Sequence, residues 1–166
     1  MVLEFNELPD SSRVWIYQSN RAFTNEEVNL IEVKMKNFLK SWTRHGDSLN
    51  GAAMVKYNQF IVLGIDENTT AASGCSIDAS VFFIKELEKE YSVQLLDRMQ
   101  TSYKQNESIK VVSLAEFNRL VKEDEILEDT VVFNNIVANK AEFDAQWEVP
   151  AKLSWHKRYF NSSTKV

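Results

Sequence analysis

Cys75, within Ala-Ala-Ser-Gly-Cys-Ser-Ile-Asp (71–78), is the single cysteine of the chain and its one candidate thiol nucleophile. An apolar run that reads as a strand precedes it and an amphipathic run that reads as a helix follows, which places the thiol at a helix mouth. There, unpaired N–H groups and the positive end of the helix dipole favour a thiolate and any bound anion. If the helix begins near Ser76, then Ser73, Gly74 and Ser76 offer N–H and hydroxyl donors beside the thiol, with Asp66 and Asp78 as flanking carboxylates. Such a set would suit attack on a carbonyl or capture of an anionic small molecule. Capping chemistry accounts for the same residues: Ser76 or Cys75 as N-cap, Asp78 opposing the dipole in the first turn, and Gly74 relieving a tight turn.

A nucleophilic cysteine wants a base, and His45 and His156 are the two histidines available. His45, in Trp-Thr-Arg-His-Gly (42–46), is taken with Cys75 as the catalytic candidate. A histidine in the last turn of a helix is equally explained by the terminal carbonyls and the negative dipole end. His156, Arg21, Arg44 and Arg158 complete the candidate binding residues; Arg21, Arg44, Lys157 and Arg158 could together hold the phosphates of RNA or a nucleotide. Trp15, Trp42, Trp147 and Trp155 read as core residues before they read as a stacking platform.

The 166 residues, 44% hydrophobic with a net charge of −5, suit one domain and argue against a nucleic-acid partner, for which a basic stripe is the expected footprint. The region after Pro150 is basic, with Lys152, Lys157, Arg158 and Lys165. One cysteine forms no intramolecular disulfide, and two histidines do not furnish the usual Cys/His zinc site, so neither metal nor cofactor is expected. The first residues carry acids where a secretion signal carries positive charge, and no apolar run reaches membrane-spanning length. The expected location is cytoplasmic. The four glycines, at 46, 51, 64 and 74, form neither a P-loop nor a dinucleotide-binding fingerprint. No Gly-x-Ser-x-Gly elbow and no His-Glu-x-x-His occurs either.

The pattern predicts a strand over 13–17, then a helix opened by the capping box Thr24-Asn25-Glu26-Glu27 and ended by Gly46. A hairpin follows, 53–57 with 60–65 about Asn58-Gln59, then a helix over 77–91 and a strand from Ser92 to Leu96 that could run on to Tyr103. That order is the ferredoxin-like βαββαβ arrangement, an α+β core over about 12–100 of a single domain. The C-terminal extension, about 101–166, is expected to supply a hairpin strand at 109–112, a helix capped by Ser113, a strand at 130–133, a short helix over 141–147 and a basic end. One larger mixed sheet, with central strands from the extension, is the other arrangement considered.

Four stretches carry a family resemblance. They are Leu-Pro-Asp-Ser-Ser-Arg-Val-Trp-Ile-Tyr-Gln-Ser-Asn-Arg (8–21), Asp-Glu-Asn with Ala-Ala-Ser-Gly-Cys-Ser-Ile-Asp (66–78), Val-Phe-Asn-Asn (132–135) and Ser-Trp-His-Lys-Arg (154–158). Together they resemble, over nearly the whole chain, a family of small uncharacterised bacterial proteins frequently labelled ABC transporter ATPase. The activity in that label needs P-loop residues, which this chain lacks, and the resemblance supplies no catalytic residue to carry over. The function expected is a non-enzymatic cytoplasmic binding or interaction domain for a small molecule or protein, able to dimerise through a sheet edge or an apolar helix face. The alternatives are a thiol-dependent enzyme using Cys75 and, third, RNA or nucleotide association.

Overall fold

The computed structural model describes residues 1–161. It is α+β, with every strand pair of its sheets antiparallel. The chain divides into two compact units: Met1–Leu96 with Ala138–Ala141, and Asp97–Val137 with the chain from Glu142 on.

The first unit contains β1 (Arg13–Gln18), α1 (Asn25–Ser41), β2 (Thr43–Arg44), β3 (Asp47–Ser48), β4 (Asn50–Lys56), β5 (Phe60–Asp66) and α2 (Gly74–Tyr91). Its sheet has the order β1-β5-β4. β5 is buried from Phe60 to Ile65, as a central strand covered on both faces must be. Ile61 and Leu63 pack with Ile31 and Met35 of α1 and Ile84 and Leu87 of α2, while Ile65 joins Leu39, Trp42 and Leu49. Across the sheet a Cβ on Gly64 would come within 2.5 Å of Leu8 Cδ1, so the bare glycine admits the N-terminal segment against the strand.

Several expected boundaries shift. Thr24 caps α1 with the full reciprocal box to Glu27. Gly46 does not end that helix. His45 (φ 50°) and Gly46 (φ 89°) form the two-residue turn of the β2–β3 hairpin, where two left-handed residues match the strand twist. The β4–β5 turn centres on Tyr57 and Asn58 (φ 55° and 54°), one residue earlier than Asn58-Gln59. The expected strand at Ser92–Leu96 is absent. Ser92 caps α2 in the left-handed region, and the Glu88 carboxylate accepts the Leu95 and Leu96 N–H groups that a strand would have turned to a neighbour. The edge of β1 is met by a distant stretch instead: Val14 N–H donates to the Ala138 carbonyl and Lys140 N–H to that of Ser12. The outer edge of β4 is met by the chain start, Leu3 N–H donating to the Gly51 carbonyl and Gly51 N–H to that of Met1.

The second unit carries β6 (Gln100–Gln105), β7 (Ser108–Ser113), α3 (Leu114–Lys122), β8 (Val131–Phe133), most of α4 (Lys140–Gln146), β9 (Glu148–Pro150) and α5 (Arg158–Asn161), with 3-10 turns at Ala151–Leu153 and Trp155–Lys157. The sheet order is β7-β6-β8-β9. Phe117, Leu120 and Val121 of α3 pack with Tyr103, Ile126, Val132 and Ala151, and Tyr159 and Phe160 close the cluster. Ser113 accepts the Glu116 N–H, but the Glu116 carboxylate turns to Arg119, so this cap is only half of a box.

Candidate functional site

The connection from β5 to α2 is built by its own side chains. Asp66 Oδ1 accepts the Asn68 N–H at 3.0 Å, an Asx turn, and Glu67 Oε2 accepts the Ala72 N–H at 2.8 Å while Arg13 lies 3.9 Å away. The N-cap of α2 is Ser73, not Ser76 or Cys75: Ser73 Oγ accepts the Ser76 N–H, and Ser76 Oγ accepts the Ser73 N–H. Ser76 is buried and further engaged, its hydroxyl donating to the Thr43 carbonyl at 2.8 Å and its own carbonyl accepting the Trp42 indole N–H. Since α2 begins at Gly74, Asp78 falls outside the first turn and does not serve the cap. Gly74 relieves no tight turn, because its φ is not positive and a Cβ there would meet nothing within 4 Å.

Cys75 is exposed, at the second position of α2. His45 is exposed at the β2–β3 turn, outside the helix in whose last turn it was expected. Among the described residues no hydrogen bond joins Cys75 to a histidine. Arg44 is an exposed residue of β2.

Arg21 is not a free anion ligand. Its guanidinium donates to both Glu27 carboxylate oxygens, to the Ala22 carbonyl and to the Tyr91 carbonyl. That fork, with the Thr24 backbone N–H, holds the Glu27 carboxyl down to about 2.

In the second unit His156 is fully buried. Its Nε2 lies 2.6 Å from Thr101 Oγ1 and its Nδ1 2.7 Å from Ser154 Oγ, both hydroxyls themselves buried. The ring stacks on Trp155 at 3.8 Å and tilts against Phe117 at 5.1 Å. Burial first, and the Arg158 charge second, push its pKa down to about 3, so it is a neutral core histidine that gives one N–H and takes one O–H. Arg158 is exposed and lies over the Trp155 and Tyr159 rings at 5.0 and 5.2 Å; Lys157 is exposed beside it. Lys152 pairs with Asp129, and Lys165 lies outside the described residues. No cluster of His, Cys, Asp and Glu able to hold a metal ion occurs among the described residues, and no described helix is long and apolar enough to cross a membrane.

A surface that the motifs do not mark lies on the helical layer of the first unit. α1 and α2 border a groove of about 660 Å³ lined by Lys34, Phe38, Ala79, Phe82, Phe83 and Glu86 among others. Its floor is the Phe38–Phe83 stack, 4.6 Å between ring centres and 10° from parallel. Phe82 is 54% exposed, and Leu30 and Val33 on α1 are 50% and 60% exposed. The periodicity holds the signal for it: on a helix whose buried stripe takes Ser80, Ile84 and Leu87, Phe82 must point away, as Leu30 and Val33 must from the stripe of Ile31 and Met35.

No family model, no curated protein and no solved structure matches the chain.

Proposed function

We propose that the chain is a non-enzymatic cytoplasmic binding or interaction domain whose contact surface is the outer face of α1 and α2. The carrying observation is the exposure of Phe82 at the Phe38–Phe83 groove, with Leu30 and Val33 exposed elsewhere on α1. Large apolar side chains gathered on one solvent face are a mark of an interaction surface. Two further observations support the reading. Ser73 and Ser76 are engaged in the cap of α2, Arg21 with Glu27 and His156 in the core, and other backbone meets β1 at Val14 and β4 at Gly51. We read the first unit as a ferredoxin-like βαββα arrangement without its closing strand. We also group the chain with the small bacterial proteins it resembles, on the four stretches given above.

The test places a photo-crosslinking benzoylphenylalanine at position 82 in cells, with the same residue at Leu153, another exposed apolar position, as control. Adducts specific to position 82 are expected. Their absence, or a catalytic turnover lost on Cys75→Ser, defeats the reading.

The exposed thiol of Cys75 on the first turn of α2 favours a second reading, a thiol-dependent enzyme acting on a carbonyl or anionic small molecule. That reading requires alkylation of Cys75 to follow a pKa well below the ordinary value of about 8.5. An ordinary profile removes it.

A further inference from the structure

The face formed by α1 and α2 is complementary to itself, and we infer that its partner is a second copy of this chain, docked with α2 antiparallel to α2 about a two-fold axis beside Leu87 and Glu88. This inference rests on the reading of that face as the contact surface.

The charge pattern carries it. The segment of α2 reads Lys85-Glu86-Leu87-Glu88-Lys89-Glu90. Antiparallel pairing about its middle sets Glu86 against Lys89 of the second copy and Lys85 against Glu90, and two-fold symmetry makes each pair twice. Glu90 is already held by Lys34 at 3.0 Å, whereas neither Glu86 nor Lys89 makes an ion pair among the described residues. Both are exposed and stand on the outward ridge with Phe82, at spacings of four and three. A parallel docking in register would instead oppose Glu86 to Glu86 and Lys89 to Lys89, which repels.

The apolar residues agree with the same register. Contacts of Lys34 with Glu90 and of Phe38 with Phe83 show α1 running antiparallel to α2, so Leu30 lies beyond Glu90. The docking that pairs the charges carries Phe82 of each copy past the axis toward Leu30 of the other, covering both. The ionisable groove residues are Lys34, Lys89, Glu86 and Glu90, which balance locally although the whole chain carries −5. Two copies therefore meet there without net repulsion at the contact.

Sedimentation equilibrium of the full chain tests this, with thermal melts to verify that each variant is folded. A concentration-dependent dimer is expected, lost in Phe82→Asp. Glu86→Lys and Lys89→Glu should each weaken it by about tenfold, and the double swap should restore it. A chain that stays monomeric at millimolar concentration, or a dimer indifferent to Phe82→Asp and to the swaps, overturns the inference. A monomer whose position 82 still crosslinks another protein in cells retires the second copy and leaves the contact surface standing; loss of both signals removes both.

Discussion

The indole N–H of Trp42 donates to the carbonyl oxygen of Ser76 at 2.8 Å, tying the residue that caps the C-terminus of α1 to the first turn of α2. The bond is buried, with Trp42 and Ser76 each 2% exposed. Trp42→Phe keeps most of the packing and removes this bond while the Ser76 carbonyl keeps its partner within the helix, at a cost of about 0.5–1.5 kcal/mol. Trp42→Ala also empties the space against Leu39 and Leu49 and should cost about 3–5 kcal/mol. Urea unfolding of the two variants gives both values, and equal costs would contradict the separate role assigned to the bond.

Gly74→Ala should stabilise the protein by about 0.4–1 kcal/mol, since the position is helical, its φ is not positive and a methyl group meets open space. The same substitution separates two views of the helix mouth. A phosphate or carboxylate held by close backbone approach at Gly74 would be lost, whereas a plain cap gains. A rise in melting temperature with no change in any anion response is the expected result.

Cys75 should react with a disulfide reagent in the native protein without prior unfolding, because its side chain is exposed. Cys75→Ser should leave stability within about 0.5 kcal/mol of the parent, as ordinary surface changes do. Reaction only in denaturant would contradict the exposure.

The second unit should weaken in mild acid. The folded pKa of His156, about 3, lies below the ordinary imidazole value, so in the interval between them the unfolded chain binds the proton that the folded chain refuses. This contribution is complete above roughly pH 6.5 and falls by about 1.4 kcal/mol for each pH unit below it, flattening near pH 3. Urea unfolding at pH 7 and 4.5 should show a loss of roughly 2–3 kcal/mol that His156→Phe no longer shows. The variant itself is less stable at neutral pH, since it leaves the hydroxyls of Thr101 and Ser154 without the ring.

How far the sequence discloses this structure depends on whether a signal is local. Thr24 with Glu27, and Ser113 with the Glu116 N–H, are caps closed within one turn, and both helices start at those signals. Gly46 satisfied two local rules, helix terminator and hairpin turn, and only the pairing of Thr43 with Ser48 chooses between them. Ser92–Leu96 has strand composition, yet its N–H groups are taken by Glu88 and by Asn20, the latter far away in the chain. The candidate site suffered most. The small and hydroxyl residues around Cys75 point to a cap at Ser76 or Cys75, but the cap is Ser73, because two serines three apart close a reciprocal box that the preference for Glu or Gln in the second place conceals. The α1–α2 face depends on Phe82 being left over once Phe83 is packed, a distinction of helical phase that composition does not register.

The stretch that meets the edge of β1 has a consequence for synthesis of the chain. Val14 leaves the ribosome long before Ala138 exists to accept its N–H, so a nascent chain carries β1 with that edge open while the intervening residues are translated. An open edge is a template for foreign strands. Cutting the gene after Leu96 would make that transient condition permanent: the fragment would keep its helices and both hairpins but lose the backbone that shields β1, and its failure would be edge-to-edge aggregation in place of simple unfolding.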